Sequence, residues 1–128
     1  MEVQILKQGP YLIATMQATL TDTDLIELQD TLSARVGHFR SRAVIIDVTS
    51  LDVMDSFACR TFRDVAHMIR LRGADTVIVG IQPEVAFSMV QLGLSLEGIG
   101  TALDLEDGLA DLDRNRRTRE SRNRSRGR

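Results

Sequence analysis

Ser56 and the acidic residues before it form the stretch of this sequence with the clearest chemical potential. Asp52 and Asp55 precede the serine, and an amphipathic pattern follows it. Ser56 should therefore lie at or next to the N-cap of a helix, where its hydroxyl can accept a backbone N–H bond worth about 1 kcal/mol. The same hydroxyl can accept a phosphate, which would meet the positive end of the helix and bring about −1.5 to −2 charges to an acidic surface. The spacing alone leaves both interpretations open.

Other reactive side chains are present, but none has a catalytic partner in a recognisable motif. The sequence has no Gly-rich phosphate loop, metal-ligand spacing or GxSxG motif, and His38 and His67 are isolated. Cys59 could gain reactivity from the first turn of a helix, or it could simply pack near a sheet. Asp47 could serve a function at a strand end, or it could bond the loop that follows. We expect no enzyme, no metal site and no cofactor; the alternative from another class is a small enzyme that uses Cys59 or Asp47.

The strands around this stretch follow from short apolar segments. Two such segments flank Gly9-Pro10, which predicts a β-hairpin. The runs 43–48 and 76–80 are continuous and rich in β-branched residues, as in parallel strands that are covered on both faces. A shorter strand is expected near 99–102.

Apolar residues three and four positions apart predict four helices. The first follows the N-cap residues 21–24 and stops at Gly37. The third begins at Pro83, and Asp104 caps the fourth. The order of elements predicts a single α/β domain over residues 1–112, with a mixed sheet of four to five strands backed by about four helices.

Length and composition narrow the class of protein. The chain has 128 residues, of which 43% are hydrophobic and 27% charged, as in one soluble domain. No apolar run approaches the length of about 20 residues of a membrane span, and the first residues lack the pattern of a secretory signal. Because Cys59 is the single cysteine, no internal disulfide can form, and a cytoplasmic location is expected.

Charge divides the chain into two parts. From Asp113 onward eight arginines accompany two acidic residues, a net charge of +6, whereas residues 1–112 carry −8. The acidic domain should repel phosphate backbones, so no nucleic acid is expected to bind through it. Residues 113–128 have no aliphatic or aromatic side chain to bury, which predicts a basic disordered tail. The alternative for this tail is binding to nucleic acid or to an acidic surface.

Segment 47–58 is similar to the phosphorylatable loop of STAS domains, the fold of the anti-sigma-factor antagonists. The likeness to stressosome STAS proteins continues through Leu71-Arg72-Gly73-Ala74-Asp75 and Val79-Gly80-Ile81-Gln82-Pro83-Glu84-Val85-Ala86. Proteins of the RsbR type carry an extra N-terminal sensory domain and commonly a second phosphorylatable Thr just before the Gly-Ile-x-Pro element. Here that position is Val79 and the sequence starts at the hairpin, so the chain resembles the RsbS type.

This resemblance implies a non-catalytic scaffold of the stressosome that regulates the general stress response. It implies co-assembly with RsbR-like STAS paralogues, capture of an RsbT-like switch kinase, release of that kinase on phosphorylation of Ser56, and resetting by an RsbX-like phosphatase. Because a kinase must reach Ser56, self-association is expected elsewhere, at the hairpin edge or on the outward faces of the first and fourth helices. The residues expected to contact the partner are Asp52, Met54, Asp55, Phe57 and Arg60.

A stand-alone anti-sigma-factor antagonist of the SpoIIAA type is the alternative within the same family. Such a protein would bind an anti-sigma kinase without entering a large assembly. The size of its complex with an RsbR-like partner on a gel-filtration column distinguishes the two.

Overall fold

The computed structural model describes residues 3–39 and 42–126, and within them it has five strands and four helices. In chain order these elements are β1 (Gln4–Gln8), β2 (Tyr11–Thr15), α1 (Asp22–Phe39), β3 (Ala43–Asp47), α2 (Ser56–Leu71), β4 (Asp75–Val79), α3 (Pro83–Gln91), β5 (Gly100–Ala102) and α4 (Leu105–Arg126). The predicted α/β class and the predicted order of elements are confirmed.

The strands form one mixed sheet in the order β1-β2-β3-β4-β5. β1 and β2 are antiparallel and meet at Gly9, whose φ of 60° is a left-handed conformation that glycine adopts without strain. β2 to β5 are parallel, with Ile13 opposite Ile45 and Ile45 opposite Val77. The carboxyl ends of β2, β3 and β4 therefore lie at one edge of the sheet, and the loops that leave them meet there.

Helices cover both faces of this sheet. One face, which includes Val44 and Ile46, packs against α1, α2 and α3 around the fully buried Phe62. The opposite face, which includes Ile45, packs against α4 through Leu112. Successive residues of β3 point to opposite faces, so its first four residues are all buried. This confirms the prediction made from its continuous apolar sequence.

α1 extends two residues beyond Gly37, where we expected it to stop. The guanidinium group of Arg72 lies where a Cβ on Gly37 would be, so the glycine makes room for the end of α2 rather than ending a helix. At the start of α1, the Thr21 hydroxyl accepts a bond from the backbone N–H of Asp24 at 3.1 Å, which confirms the predicted N-cap. A reciprocal bond from the backbone N–H of Thr21 to Asp24 Oδ2, at 2.9 Å, lowers the pKa of that carboxyl.

α4 begins as the sequence predicted. Asp104 Oδ1 accepts a bond from the backbone N–H of Asp107 at 2.9 Å and so caps the helix. Leu112 is buried against the sheet, and Asp113 accepts a 2.5 Å hydrogen bond from the Tyr11 hydroxyl. These contacts attach the first two turns of the helix to the domain.

The last part of α4 differs from the disordered tail that we expected from residue 113. The helical backbone continues to Arg126, and residues 127–128 lie outside the described residues. Arginine is a good helix former, so a helix that is held by its first turns can continue without burying further side chains. A domain limit at residue 112 stays a prediction. Among the described residues, no helix has both the length and the apolar composition that a membrane crossing requires.

Gly80 offers a test of how closely the loops at the carboxyl edge pack. It has a φ of 80°, and the Thr49 hydroxyl lies where its Cβ would be. Gly80→Ala should lower the free energy of unfolding by about 2 kcal/mol or more, because the new side chain is strained and collides with Thr49. Gly93→Ala is the matched control, with a φ of 67° but no atom within 4 Å, and should cost only the backbone strain of about 1 kcal/mol. Urea unfolding followed by circular dichroism measures both; equal losses would mean that the Thr49 contact is unimportant.

The two parts of α4 should differ sharply in their contribution to stability. Leu112→Ala should lower the free energy of unfolding by about 2–3 kcal/mol, because Leu112 is buried against the sheet. Deletion of residues 114–128 should change it by less than about 0.5 kcal/mol, because the described side chains there are exposed. Both values come from the same unfolding experiment. A deletion that costs as much as Leu112→Ala would show that the end of the helix packs against the domain.

Candidate functional site

The loop between β3 and α2, residues 48–55, leaves the carboxyl edge of the sheet and leads to Ser56. Asp47 Oδ1 accepts bonds from the backbone N–H of Thr49 at 2.9 Å and from its hydroxyl at 2.6 Å. Gln82 Nε2 donates to the Thr49 carbonyl oxygen at 2.8 Å, which ties this loop to the start of α3. Of the two roles considered for Asp47, bonding of the following loop is the one seen.

Two apolar side chains and one backbone bond hold the second half of the loop. Leu51 is 2% exposed and Met54 is 3% exposed, and both belong to the core beneath α1 and α2. Between them, the backbone N–H of Asp52 donates to the Ala18 carbonyl oxygen in the loop after β2, at 3.0 Å. The path of the chain into α2 is therefore set by core packing as well as by hydrogen bonds.

The buried position of Met54 corrects its expected role as a partner contact. Its side chain fills the core and cannot reach a partner in this conformation. The neighbouring Val53, which the sequence did not single out, is 69% exposed and presents the apolar surface instead. Both residues are apolar, and a loop has no regular period that would tell an inward side chain from an outward one.

Ser56 is the first residue of α2, and the preceding Asp55 is the N-cap. Asp55 has extended backbone angles, and its Oδ1 accepts a bond from the Ala58 N–H at 2.8 Å. The prediction that Ser56 lies at or next to the N-cap is confirmed, but the capping role falls to Asp55. Ser56 is exposed, and its hydroxyl has no hydrogen-bond partner within the described parts of the chain.

The other residues expected at the partner surface surround Ser56. Asp52 and Asp55 are exposed, and Phe57 is half-buried against the core. Arg60 is exposed and follows Ser56 by four residues, a spacing that places the two on the same face of the helix. The site thus combines an accessible hydroxyl, two carboxylates and one guanidinium group near a helix N-terminus.

A groove of about 270 Å³ opens at the start of α2, where the loop after β2, the loop after β3 and the first turns of α1 and α2 meet. Leu20, Val53 and Ala58 contribute apolar walls, and Asp22 and Asp55 contribute carboxylates. A side chain from a partner protein with an apolar stem and a basic tip would suit such a groove.

The remaining reactive side chains lie apart from Ser56 or are inaccessible. Cys59 is 1% exposed, and burial raises the pKa of its thiol, which disfavours a reactive thiolate. His67 is exposed on α2 and lines a second groove with Arg63, Arg70 and Glu97. The side chain of His38 lies outside the described residues. In the part of the chain that the structure describes, no group of three or more His, Cys, Asp or Glu could hold a metal ion.

The comparisons with known protein sequences agree with this fold. The family model of the STAS domain matches residues 2–108. The RsbT co-antagonist protein RsbRA of Bacillus subtilis (strain 168) is 33% identical over 82 residues, which are 64% of this chain and 30% of that protein. RsbRC from the same organism is 35% identical over 65 residues, which are 51% of this chain and 23% of that protein. The chain therefore spans less than a third of the length of these curated relatives.

Solved structures extend the comparison to most of the chain. A serine-to-glutamate variant of Moorella thermoacetica RsbS has a TM-score of 0.78 and 32% identity, over 91% of this chain and 99% of that chain. A chain from a solved structure of the stressosome has a TM-score of 0.76 and 32% identity. The match covers 89% of this chain and 99% of that chain. The anti-sigma-factor antagonist SpoIIAA in its unphosphorylated form is similar in fold alone, with a TM-score of 0.66 and 13% identity. The match covers 88% of this chain and 98% of that chain. Together with the five-stranded mixed sheet and the four helices, these matches confirm the resemblance found in the sequence: the protein belongs to the STAS-domain family.

Proposed function

We propose that this protein is a non-catalytic, cytoplasmic scaffold of the stressosome that holds an RsbT-like serine/threonine kinase and releases it when Ser56 is phosphorylated. The observation that carries the proposal is the exposed Ser56 hydroxyl at the first position of α2, which has no hydrogen-bond partner among the described residues. RsbR-like paralogues are the proposed assembly partners, and an RsbX-like phosphatase resets the site. The likeness to RsbS, and to proteins named as RsbT co-antagonists, supports this choice of partners.

The division of roles between Asp55 and Ser56 supports a reversible modification. Asp55 caps α2, so the Ser56 hydroxyl can be esterified without the loss of a bond that the helix needs. A phosphate at this position lies at the positive end of the helix dipole, where negative charge is stabilised. Phosphorylation should therefore change the surface of the protein while the fold is retained.

The same phosphate should weaken binding of a partner that covers the loop. It would add about −1.5 to −2 charges beside Asp52 and Asp55. Burial of a phosphate in an interface removes its hydration, which costs several kcal/mol. An exposed ion pair between the phosphate and Arg60 would stabilise the complex by only about 0–1 kcal/mol. The desolvation cost is larger, so phosphorylation should weaken binding and release the partner.

The apolar part of the proposed kinase contact is Val53 and the groove beside it. Val53 is 69% exposed, precedes Ser56 by three residues, and lines the groove together with the carboxylates of Asp22 and Asp55. An apolar contact surrounded by charges is typical of a protein interface. Since the kinase needs this edge, assembly with paralogues and self-association are assigned to other surfaces, at the hairpin edge or on the outward faces of α1 and α4.

The first prediction of this proposal concerns the phosphate acceptor. Incubation with the cognate kinase and ATP should place one main phosphate on Ser56, and Ser56→Ala should remove nearly all of the label. Ser50→Ala is the matched control, because Ser50 is also exposed and lies in the loop that leads to Ser56, but it does not begin a helix. Mass spectrometry of the intact protein and of its peptides measures the outcome. Labelling of Ser56→Ala at the level of the unaltered protein would refute the assignment.

The second prediction distinguishes the exposed residue of the loop, Val53, from the residue that is buried in the core, Met54. Val53→Arg should weaken kinase binding by about tenfold or more and leave both folding and co-assembly with an RsbR-like protein intact. Met54→Arg should instead destabilise the fold by about 3 kcal/mol, because it buries a charge in the core. Leu71→Arg is the control for kinase binding, because Leu71 is an apolar residue of similar exposure at the far end of α2.

Surface plasmon resonance measures kinase binding, gel filtration measures the assembly, and thermal unfolding measures the fold. If Val53→Arg dissolved the assembly but still bound the kinase, the two surfaces would have been assigned the wrong way round. If Leu71→Arg weakened the kinase as much as Val53→Arg, the proposed contact would not lie at the carboxyl edge.

A further inference from the structure

We propose that the C-terminal part of α4, residues 114–126, binds nucleic acid through the phosphate groups. This segment lies beyond residues 2–108, which match the STAS family, and the proposal goes beyond the stressosome function. It is independent of Ser56. RNA and DNA share the phosphate chemistry involved, and the experiment below distinguishes them.

The composition of the segment is suited to phosphate. Residues 113–128 contain eight arginines, no lysine, and no aliphatic or aromatic residue, and their net charge is +6. The planar guanidinium group presents paired N–H donors that match phosphate oxygens. Arg117, Arg122 and Arg124 are exposed, and within the described residues they make no hydrogen bond or ion pair. A ligand can therefore reach these three guanidinium groups from solvent, whereas Arg114 is paired with Asp111.

The fold separates these arginines from the acidic loops of the domain. α4 starts after β5 at the carboxyl edge of the sheet and crosses the face that contains Ile45 and Val77. At Asp113 it reaches Tyr11, which is the first residue of β2 and lies at the opposite edge. The arginines follow directly, so the phosphate-repelling residues near Ser56 lie at the other end of the domain.

The helical backbone arranges the charges in a short rod. The 13 residues from 114 to 126 extend over about 20 Å at 1.5 Å per residue. Arg114, Arg117 and Arg124, at spacings of three and seven, fall within about a quarter of the helix circumference. An α-helix fits the major groove of duplex DNA, and arginine-rich segments also bind RNA.

A second copy of this chain is the rival occupant, because residues 1–112 carry a charge of −8. Stable protein interfaces, however, have an apolar centre, and the segment has no apolar side chain to supply one. Ion pairs between exposed side chains contribute only about 0–1 kcal/mol each. Duplex DNA carries about one charge per 1.7 Å of helix axis, and nucleic acids release condensed counterions when arginine binds, so nucleic acid is favoured over a second copy.

The test uses the full chain and three labelled probes of equal length: single-stranded RNA, duplex RNA and duplex DNA. Fluorescence anisotropy measures affinity between about 50 and 200 mM salt. The variant replaces Arg114, Arg117, Arg122 and Arg124 with Gln, and the control replaces the same four residues with Lys. The Gln variant should bind at least about tenfold more weakly, and its slope of log K against log salt should be smaller by about 3 to 4. The Lys control should keep the slope, and the probe that binds most tightly identifies the nucleic acid.

A second readout concerns the helix itself. Like charges four residues apart, such as Arg122 and Arg126, destabilise an isolated helix by a few tenths of a kcal/mol per pair, so bound phosphates should raise the helical circular-dichroism signal. Equal binding by the Gln variant would overturn the proposal, as would no binding of any probe at low salt. If the protein bound poly-glutamate of matched charge as tightly as it binds the nucleic-acid probes, the proposal would also be overturned. Arginine-dependent self-association in sedimentation, without any affinity for the probes, would assign the segment to a second copy instead.

Discussion

Helices cover both faces of the central parallel strands, and the first four residues of β3 are all buried. A sheet covered in this way offers a partner only its edges, the outer faces of its helices and the loops at the strand ends. Because β2, β3 and β4 are parallel, the loops that follow them converge at one edge. Two hydrogen bonds, from Asp52 to Ala18 and from Gln82 to Thr49, join those three loops into one surface.

Within that surface, neighbouring residues have separate physical tasks. Leu51 and Met54 anchor the loop in the core, and Asp55 caps α2. Val53 and Ser56 are exposed, and among the described residues neither side chain makes a capping bond or belongs to the core. In the proposed function, this separation would allow a phosphate on the Ser56 hydroxyl to change the binding surface without the loss of the bond that caps α2.

α4 connects this end of the molecule to the other. Its first turns complete the second core, since Leu105 and Leu109 pack with the buried Leu112 beneath the sheet. Its remaining turns extend from the opposite edge as a basic helix. One continuous element therefore packs against the sheet with its first turns and carries a strongly basic segment away from residues 1–112, whose net charge is −8.

Local physical chemistry made much of this protein predictable from its sequence. The continuous apolar run of β3 has to be buried on both sides, and Thr21 and Asp104 cap the helices that they precede, because burial and capping depend on residues close in the chain. Tertiary packing decided the rest. Gly37 lies inside α1, where it leaves space for the Arg72 side chain, and Met54 rather than Val53 is buried in the core; both outcomes depend on residues that meet only in the folded chain.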